Sequence, residues 1–255
     1  MRIVVIGGTG RIGAQVVDRL RRQGQEVLAA SPSGGVDSVT GAGLPAALAG
    51  ARVVVDLSNA PSFEDRAAME FFQASTRNLL AAGAAAGIGH HLALSVVGTD
   101  RLQENGYFRA KLAQERLIAA GPLPWTILRA TQFLEFLDGI IEGGAGPGGI
   151  RLPAALFQPI AAADVAALVA EAALQPPVNR MIEIAGPERI GMAALAGRYL
   201  AARGDARRVA ADPAARYFGA AIDDRSLTAG EDARLGPTRI ADWLRATAPA
   251  PAPQR

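Results

Sequence analysis

The chain has 255 residues, 50% of them apolar, which suffices to bury the core of one α/β domain with an appended lobe. Lys and Arg number 26 against 24 Asp and Glu, and the basic residues form no block, so we expect neither a nucleic-acid nor a membrane partner. Cysteine is absent, which excludes disulfides, thiolate metal sites and cysteine nucleophiles.

Strands and helices are predicted to alternate through the first half of the chain. Short apolar runs rich in Val, Ile and Leu predict strands over residues 2–6, 25–30, 52–58, 90–98 and 125–130. Apolar residues at helical spacing predict helices over residues 11–24, 44–50, 63–87 and 107–121. Because the strands are continuously apolar, they fit a parallel sheet that is covered on both faces.

The alternation weakens after residue 130. A Gly/Pro-rich loop or hairpin is predicted over residues 142–153, and helices are predicted over 162–174 and 192–204. One further strand is predicted over 180–186, and a flexible Pro/Ala-rich tail over 246–255.

The glycine-rich segment GGTGRIG, residues 7–13, follows the first strand and opens the first helix. A helix N-terminus offers unpaired N–H groups to an anion, and glycine lets the backbone approach a pyrophosphate closely. In this position the spacing predicts a dinucleotide site, the alternative being a tight turn that holds no ligand. We expect cofactor contacts from Gly7, Thr9, Gly10, Arg11, Ile12 and Gly13.

The end of the second strand bears on the choice of dinucleotide. An NAD site usually places Asp or Glu there, on the ribose 2′-hydroxyl. Here Ser31 and Ser33 occupy that region and are assigned to the cofactor, and the first acid is Asp37. With no carboxylate to repel a 2′-phosphate and Arg11 in the glycine segment, the sequence favours NADP over NAD. The alternative is that Arg11 is solvated and that the site accepts either cofactor.

Tyr107 and Lys111 are four residues apart, so they share one face of a helix. A neighbouring ammonium group would lower the pKa of the tyrosine and make it a better proton carrier near neutral pH. Ser95, at the carboxyl end of the preceding strand, could bind a substrate carbonyl group. The alternative is a half-buried tyrosine beside a surface lysine.

The sequence resembles the short-chain dehydrogenase/reductases, specifically their atypical, NmrA-like branch. The resemblance rests on IGGTGRIG, VVVDLSNAPSFED, LALSVVGTD, YFRAKLAQE and WTILRATQFLEF, and it covers nearly the whole chain. It implies a Rossmann-type doubly wound parallel sheet with a small C-terminal substrate lobe. We expect the Rossmann core over residues 1–135, completed by 159–186, and the substrate lobe over 136–158 and 187–245.

The resemblance also implies roles for individual residues. Tyr107 would exchange a proton with the substrate oxygen, Ser95 would orient that oxygen, and Lys111 would bind the nicotinamide ribose and lower the pKa of Tyr107. The segment RATQF, residues 129–133, would lie beside the nicotinamide. Residues assigned to the cofactor on this basis are Leu57, Ser58, Asn59 and Ala130, and those assigned to the substrate are Gln132, Phe133 and Phe136.

Three aromatic residues after the fifth strand have two interpretations. Phe133, Phe136 and Phe157 either wall a substrate pocket or belong to the core, which is the commoner place for aromatic side chains. The only histidines, His90 and His91, are adjacent, so they cannot easily share a metal, and no metal site is expected. We place both at the surface, at the amino end of their strand.

The function expected is that of an NAD(P)H-dependent oxidoreductase acting on a small carbonyl or conjugated substrate. One alternative is a non-catalytic, NADP-binding redox-sensing regulator, since the resemblance includes NmrA-like members that sense the redox state of the cofactor instead of using it. Another is a sugar-nucleotide epimerase or dehydratase, which the short, Ala-rich segment 187–245 disfavours. No secretory signal or long apolar segment is present, so we expect a cytoplasmic protein.

Overall fold

The computed structural model describes residues 1–248, which form a seven-stranded parallel sheet, a smaller C-terminal sheet region and eight α-helices. The strands are β1 (Arg2–Ile6), β2 (Glu26–Ala30), β3 (Val53–Asp56), β4 (His90–Val96), β5 (Trp125–Ala130), β6 (Ala145–Gly146), β7 (Gly149–Pro153), β8 (Leu156–Phe157), β9 (Arg180–Ala185), β10 (Ile190–Gly191), β11 (Val209–Asp212) and β12 (Arg234–Leu235). The helices are α1 (Arg11–Arg22), α2 (Leu44–Leu48), α3 (Asp65–Ala86), α4 (Gly106–Ala119), α5 (Leu137–Gly143), α6 (Ala162–Ala173), α7 (Met192–Ala201) and α8 (Ile240–Thr247).

The order of the central sheet is β12-β9-β5-β4-β3-β1-β2, and all of its pairs are parallel. Helices α1 and α6 pack together on one face of the sheet, and α3 and α4 pack together on the other. The direction of strand order reverses between β1 and β3, which is the position where doubly wound sheets bind ligands. The predicted fold class, a Rossmann-type parallel sheet, is confirmed.

Every strand and helix predicted before residue 130 is present, with ends that shift by one or two residues. The predicted loop or hairpin at 142–153 is the antiparallel hairpin of β6 and β7. Not predicted were α5, β8, β10, β11, β12 and α8, because short segments held by distant partners carry little periodic pattern. Helix α8 takes in residues 246 and 247 of the expected tail, and residues 249–255 lie outside the described part of the chain.

A second hydrophobic core joins the C-terminal elements. It contains Phe157, Tyr199 and Trp243, together with apolar residues of α5, β7 and α7. Phe157 is fully buried there and does not line the cavity described below, so its core interpretation is correct. Within residues 1–248, no helix has the length and apolar character needed to cross a membrane.

The expected surface position of the two histidines is wrong. His90 and His91 are 3% and 0% exposed, because β4 is a central strand and helices cover both of its faces. Nε2 of His90 shares a hydrogen bond of 2.9 Å with Oγ1 of Thr126. Burial lowers the pKa of His90 to about 4 and also lowers the pKa of His91. Both rings are therefore neutral at physiological pH.

Candidate cofactor and substrate site

A cavity of about 1060 Å³ opens at the carboxyl ends of the central strands. It is bounded by the residues that end or follow β1, β2, β3, β4 and β5, and it extends to the C-terminal region. Of the residues assigned from the sequence, those that line it are Gly7, Thr9, Gly10, Arg11, Ile12, Gly13, Ser31, Leu57, Ser58, Asn59, Ser95, Tyr107, Lys111, Ala130, Gln132, Phe133 and Phe136. The fold thus gathers residues from six separate segments around one space.

The glycine segment forms a close contact between β1, α1 and the loop after β3. Gly7 has a φ of +72°, and a Cβ atom there would lie 2.8 Å from the carbonyl oxygen of Leu57. A Cβ atom on Gly13 would lie 2.0 Å from the carbonyl oxygen of Gly7, so the first turn of α1 rests directly on the segment. The N-cap, Gly10, provides no side-chain hydrogen bond, and the first turn holds no acid. The first N–H groups of α1 can therefore bind a pyrophosphate, and the segment fits a dinucleotide.

The region after β2 differs from expectation in two ways. Ser33 does not line the cavity, because the short turn at residues 32–34 directs it to Ser31, with 3.0 Å between their Oγ atoms. The same turn brings Asp37 and Ser38 to the cavity wall. Oδ1 of Asp37 accepts a hydrogen bond of 2.8 Å from the backbone N–H of Val39. A carboxylate therefore lines the same cavity as Arg11, and the preference for NADP stays a prediction.

The loop after β3 is fixed by the buried carboxylate of Asp56. Oδ1 of Asp56 accepts hydrogen bonds from the backbone N–H and the hydroxyl group of Ser58, at 3.0 and 2.6 Å. Its Oδ2 accepts one from Nε2 of Gln114 on α4, at 3.0 Å. These bonds hold Leu57, Ser58 and Asn59 along the cavity wall. The loop is thus shaped by a residue that itself lies beneath the site.

Tyr107 stands in the first turn of α4. The N-cap of this helix is Asn105, whose side chain accepts hydrogen bonds from the backbone N–H groups of Tyr107 and Phe108. The hydroxyl group of Tyr107 donates a hydrogen bond of 3.0 Å to Oδ1 of Asn59. Its ring lies edge to face with that of Phe63, with ring centroids 5.3 Å apart. Burial raises the pKa of Tyr107 above its ordinary value.

Lys111 is buried below Tyr107. Its Nζ donates a hydrogen bond of 2.9 Å to the carbonyl oxygen of Leu94 and another to Oε1 of Gln114, and it lies 4.5 Å from the centroid of the Phe72 ring. Burial lowers the pKa of Lys111 to about 8, against the opposing charges of Asp56 and Glu115. The hydrogen bonds of the ammonium group go to Leu94 and Gln114 and not to Tyr107. That Lys111 lowers the pKa of Tyr107 stays a prediction.

Three polar side chains at the ends of β4 and β5 are buried without a hydrogen-bond partner among the described residues. They are the hydroxyl groups of Ser95 and Thr131 and the amide group of Gln132, and all three residues line the cavity. A buried polar group without a partner is unfavourable by about 1–3 kcal/mol, so these atoms indicate where a polar ligand group would bind. Thr131 lies in the predicted segment RATQF but was given no role of its own, since a lone threonine carries no motif.

Arg129, the first residue of the RATQF segment, does not face the cavity. Its guanidinium group forms two hydrogen bonds with the buried carboxylate of Glu115, at 2.9 and 2.6 Å, and a third of 3.2 Å with Asp100. Alternate residues of β5 point to opposite faces, so Arg129 braces the sheet against α4. The residues of this segment that line the cavity are those from Ala130 to Phe133.

The far end of the cavity is walled by a loop that sequence reasoning missed. Tyr217 and Phe218 line it, and the ring centroids of Phe218 and Phe136 are 5.8 Å apart. The carbonyl oxygen of Phe218 accepts a hydrogen bond of 2.9 Å from Nδ2 of Asn105. Over a hundred residues separate the two partners, so no local pattern could indicate this contact. In residues 1–248, no group of three His, Asp or Glu side chains could hold a metal ion.

The fold and this cavity define a dinucleotide-binding protein of the Rossmann type. Residues 7–176 match the sequence profile of a family described as NAD(P)H-binding, and the chain belongs to that family. No curated protein matches the sequence significantly.

Solved structures with the same fold are numerous. A short-chain dehydrogenase/reductase superfamily protein from Agrobacterium tumefaciens with bound NAD is 20% identical, with a TM-score of 0.73, over 97% of this chain and 96% of that one. A dTDP-4-dehydrorhamnose reductase from Clostridium acetobutylicum is 15% identical, with a TM-score of 0.69, over 96% and 98%. MoeE5 in complex with UDP-glucuronic acid and NAD is 19% identical, with a TM-score of 0.69, over 96% and 97%. These similarities establish the fold.

Proposed function

We propose that the protein is an NAD(P)H-dependent oxidoreductase of the short-chain dehydrogenase/reductase type, which reduces or forms a carbonyl group on a small carbonyl or conjugated substrate. One observation carries this proposal: Ser95 and Tyr107 are among the residues that line the same cavity as the N-terminus of α1. A protein that only stored a dinucleotide would not need an unpartnered buried hydroxyl group and a tyrosine at the other end of the cofactor's space. The NmrA-like branch and a cytoplasmic location stay predictions.

The residues around the cavity divide into those that hold the cofactor and those that act on the substrate. The N–H groups of the first turn of α1 would bind the pyrophosphate, and the loop from Leu57 to Asn59 would contact the adenosine or ribose. Lys111 would contact the nicotinamide ribose. When bound, the nicotinamide supplies or accepts the hydride at the carbonyl carbon.

Tyr107 would act as the proton donor. The raised pKa keeps its hydroxyl group protonated at neutral pH, so it can give a proton to the carbonyl oxygen as the new C–H bond forms. The hydroxyl group of Ser95, buried and free of protein partners, would donate a hydrogen bond to the same oxygen and orient it. Reduction then yields an alcohol, and the phenolate of Tyr107 recovers its proton from water.

The finer choice of cofactor rests on two residues with opposite effects. Arg11 favours a ribose 2′-phosphate, whereas Asp37 favours a 2′-hydroxyl group, since a carboxylate repels phosphate. We propose NADP(H) as the preferred cofactor, on the strength of Arg11. Calorimetry with the four nicotinamide cofactors tests this preference, and Arg11→Ala should weaken NADPH binding while leaving NADH binding nearly unchanged. Tighter binding of NADH than of NADPH by the unmodified protein would reverse the assignment.

The central experiment measures NADPH and NADH oxidation against a panel of quinones, aldehydes and ketones. We expect turnover that Tyr107→Phe lowers by about a hundredfold or more, as is typical for the loss of a general acid. Tyr199→Phe is the matched control, because the hydroxyl group of Tyr199 bonds to Asp138 and the residue does not line the cavity. Turnover unchanged in Tyr107→Phe would remove Tyr107 from its role, and absence of binding by all four cofactors would contradict the proposal.

A cofactor-sensing regulator is the second candidate. One observation favours it: the hydrogen bonds of Lys111 go to Leu94 and Gln114 and not to Tyr107. Such a protein would bind NADP(H) tightly and oxidise none of it with any member of the panel.

A further inference from the structure

We infer that the substrate end of the cavity accepts an uncharged, planar conjugated carbonyl compound and rejects substrates that carry a phosphate or diphosphate group. This inference rests on the proposed function, since it names the substrate class of the same site. It separates this chain from the structurally similar proteins that handle nucleotide sugars.

The first observation is the aromatic wall. Phe63, Phe136 and Phe218 line the cavity although they are 58%, 40% and 45% exposed. They come from three distant segments: the rings of Phe136 and Phe218 lie 5.8 Å apart, and the ring of Phe63 packs on that of Tyr107. Exposed apolar side chains that line a cavity usually mark a binding site. Ring faces and edges attract other planar π-systems.

The second observation is the distribution of charge. Among the described residues, the basic side chains that line the cavity are Arg11, in the glycine segment, and Lys111, which bonds to Leu94 and Gln114. The substrate end carries acids instead, Asp65 and Glu104. A diphosphate buried there would have no basic side chain among the residues that line this end. Burying an uncompensated charge is strongly unfavourable, so phosphorylated substrates are disfavoured.

The two acids are already engaged. Asp65 pairs with Arg109, and Glu104 pairs with Arg216 at 2.8 Å. Neither arginine lines the cavity, so neither is placed to bind an anion within it. These ion pairs connect segments at the rim of the cavity, and the phenylalanine side chains line the space beside them.

The third observation is a cluster of polar groups without partners. Ser95, Thr131 and Gln132 line the cavity where β4 and β5 end, and their buried polar atoms have no hydrogen-bond partner among the described residues. The hydroxyl groups and the amide N–H can donate to one or two carbonyl oxygens, which matches a flat carbonyl compound.

The aromatic wall is linked to the start of α4, and so to Tyr107, through Asn105. Asn105 accepts hydrogen bonds from the first turn of α4, and its Nδ2 donates to the carbonyl oxygen of Phe218. Phe218 has a φ of +45°, an uncommon conformation for a residue with a side chain, which the contact with Asn105 helps to maintain. One side chain therefore sets the positions of both the proton donor and the substrate wall.

The test measures binding without turnover. The fluorescence of N-phenyl-1-naphthylamine, a neutral planar probe, is titrated with the protein, and menadione or UDP-glucose is then added as competitor. We expect menadione to displace the probe and UDP-glucose not to displace it. Phe136→Ala and Phe218→Ala should each weaken probe binding by about tenfold, the loss of one good aromatic contact. Leu235→Ala is the matched control, because Leu235 is 54% exposed and lies outside the cavity.

Two results would overturn the inference. One is displacement of the probe by UDP-glucose at concentrations similar to those of menadione. The other is probe binding by both phenylalanine variants as tight as that of Leu235→Ala. Because Tyr107→Phe should still bind the probe, failure of the proposed redox chemistry would be seen separately, as binding that is not followed by cofactor oxidation.

Discussion

The hydroxyl group of Tyr107 and the side-chain amide of Asn59 are joined by a hydrogen bond of 3.0 Å, which links α4 to the loop after β3. The bond orients the phenol along the cavity and restricts the rotation of its side chain. Asn59 is therefore a positioning residue for the proposed proton donor, and the contact joins the cofactor wall to the reacting end of the site.

Replacing this amide group tests its positioning role. Asn59→Ala should lower kcat by about tenfold, since misplacing a general acid forfeits part of its contribution, while KM for the substrate changes little. Steady-state kinetics with the best substrate of the panel measures both constants. A rise in KM at unchanged kcat would instead assign Asn59 to substrate binding.

Lys111 should make stability depend on alkaline pH. Its pKa is about 8 in the folded protein and near 10.5 when unfolded, so between these values the unfolded chain binds more protons and stability rises with pH. Lys111→Met removes this dependence. The stability of the variant relative to the original protein should fall by about 3 kcal/mol between neutral pH and a pH of about 11.

Urea unfolding at a series of pH values measures this difference. Arg116→Met is a suitable control, because it removes an exposed basic side chain from the same helix and leaves Lys111 in place. Parallel profiles of unfolding free energy against pH for Lys111→Met and the unmodified protein would show that burial does not lower the pKa of Lys111.

Breaking the ion pair of Arg129 and Glu115 should strongly lower the free energy of unfolding. Glu115 is fully buried, and Glu115→Gln leaves the guanidinium group without its full counter-charge, which should destabilise the fold by about 3–5 kcal/mol. Glu70→Gln breaks a solvent-exposed pair with Arg66 and should change stability by less than about 1 kcal/mol. Equal effects in the two unfolding curves would contradict the structural role given to Arg129.

Gly13 should be essential to the cofactor site. Gly13→Ala places a methyl group against the carbonyl oxygen of Gly7, so α1 must move away from the glycine segment. We expect NADPH binding to weaken by at least about tenfold in calorimetry. Gly197→Ala, in helix α7, has open space around its Cβ position and should leave binding intact. Similar affinities for the two variants would mean that the first turn of α1 does not hold the cofactor.

The strands and the glycine segment could be predicted because their signals are local. Each strand before residue 130 is a continuous apolar run, and GGTGRIG lies directly between β1 and α1. Asp37 was noted as the first acid after β2 but was not assigned to the cavity, because counting positions along an extended chain ignores the turn at residues 32–34 that folds it back. Phe218 escaped notice because its place at the cavity depends on a partner in another part of the chain.

The histidines illustrate a different limit. Sequence order placed His90 and His91 at the amino end of β4, and that position is correct. Burial, however, depends on the neighbours of a strand, and β4 lies between β3 and β5 with helices above and below. A polar residue at the end of an edge strand would be solvated, whereas the same residue in a central strand is enclosed.

The double use of Asn105 has a consequence for how this site can change. Its side chain caps α4, which carries Tyr107, and donates a hydrogen bond to the loop that carries Phe218. The proposed proton donor and the substrate wall therefore depend on the same residue. A loop transplanted from another protein would need to offer a carbonyl group at the same place, or the start of α4 would loosen. Redesign of this protein for new substrates is therefore easier at Phe136, whose ring packs on that of Phe218 and whose side chain can be exchanged without touching Asn105 or its hydrogen bonds.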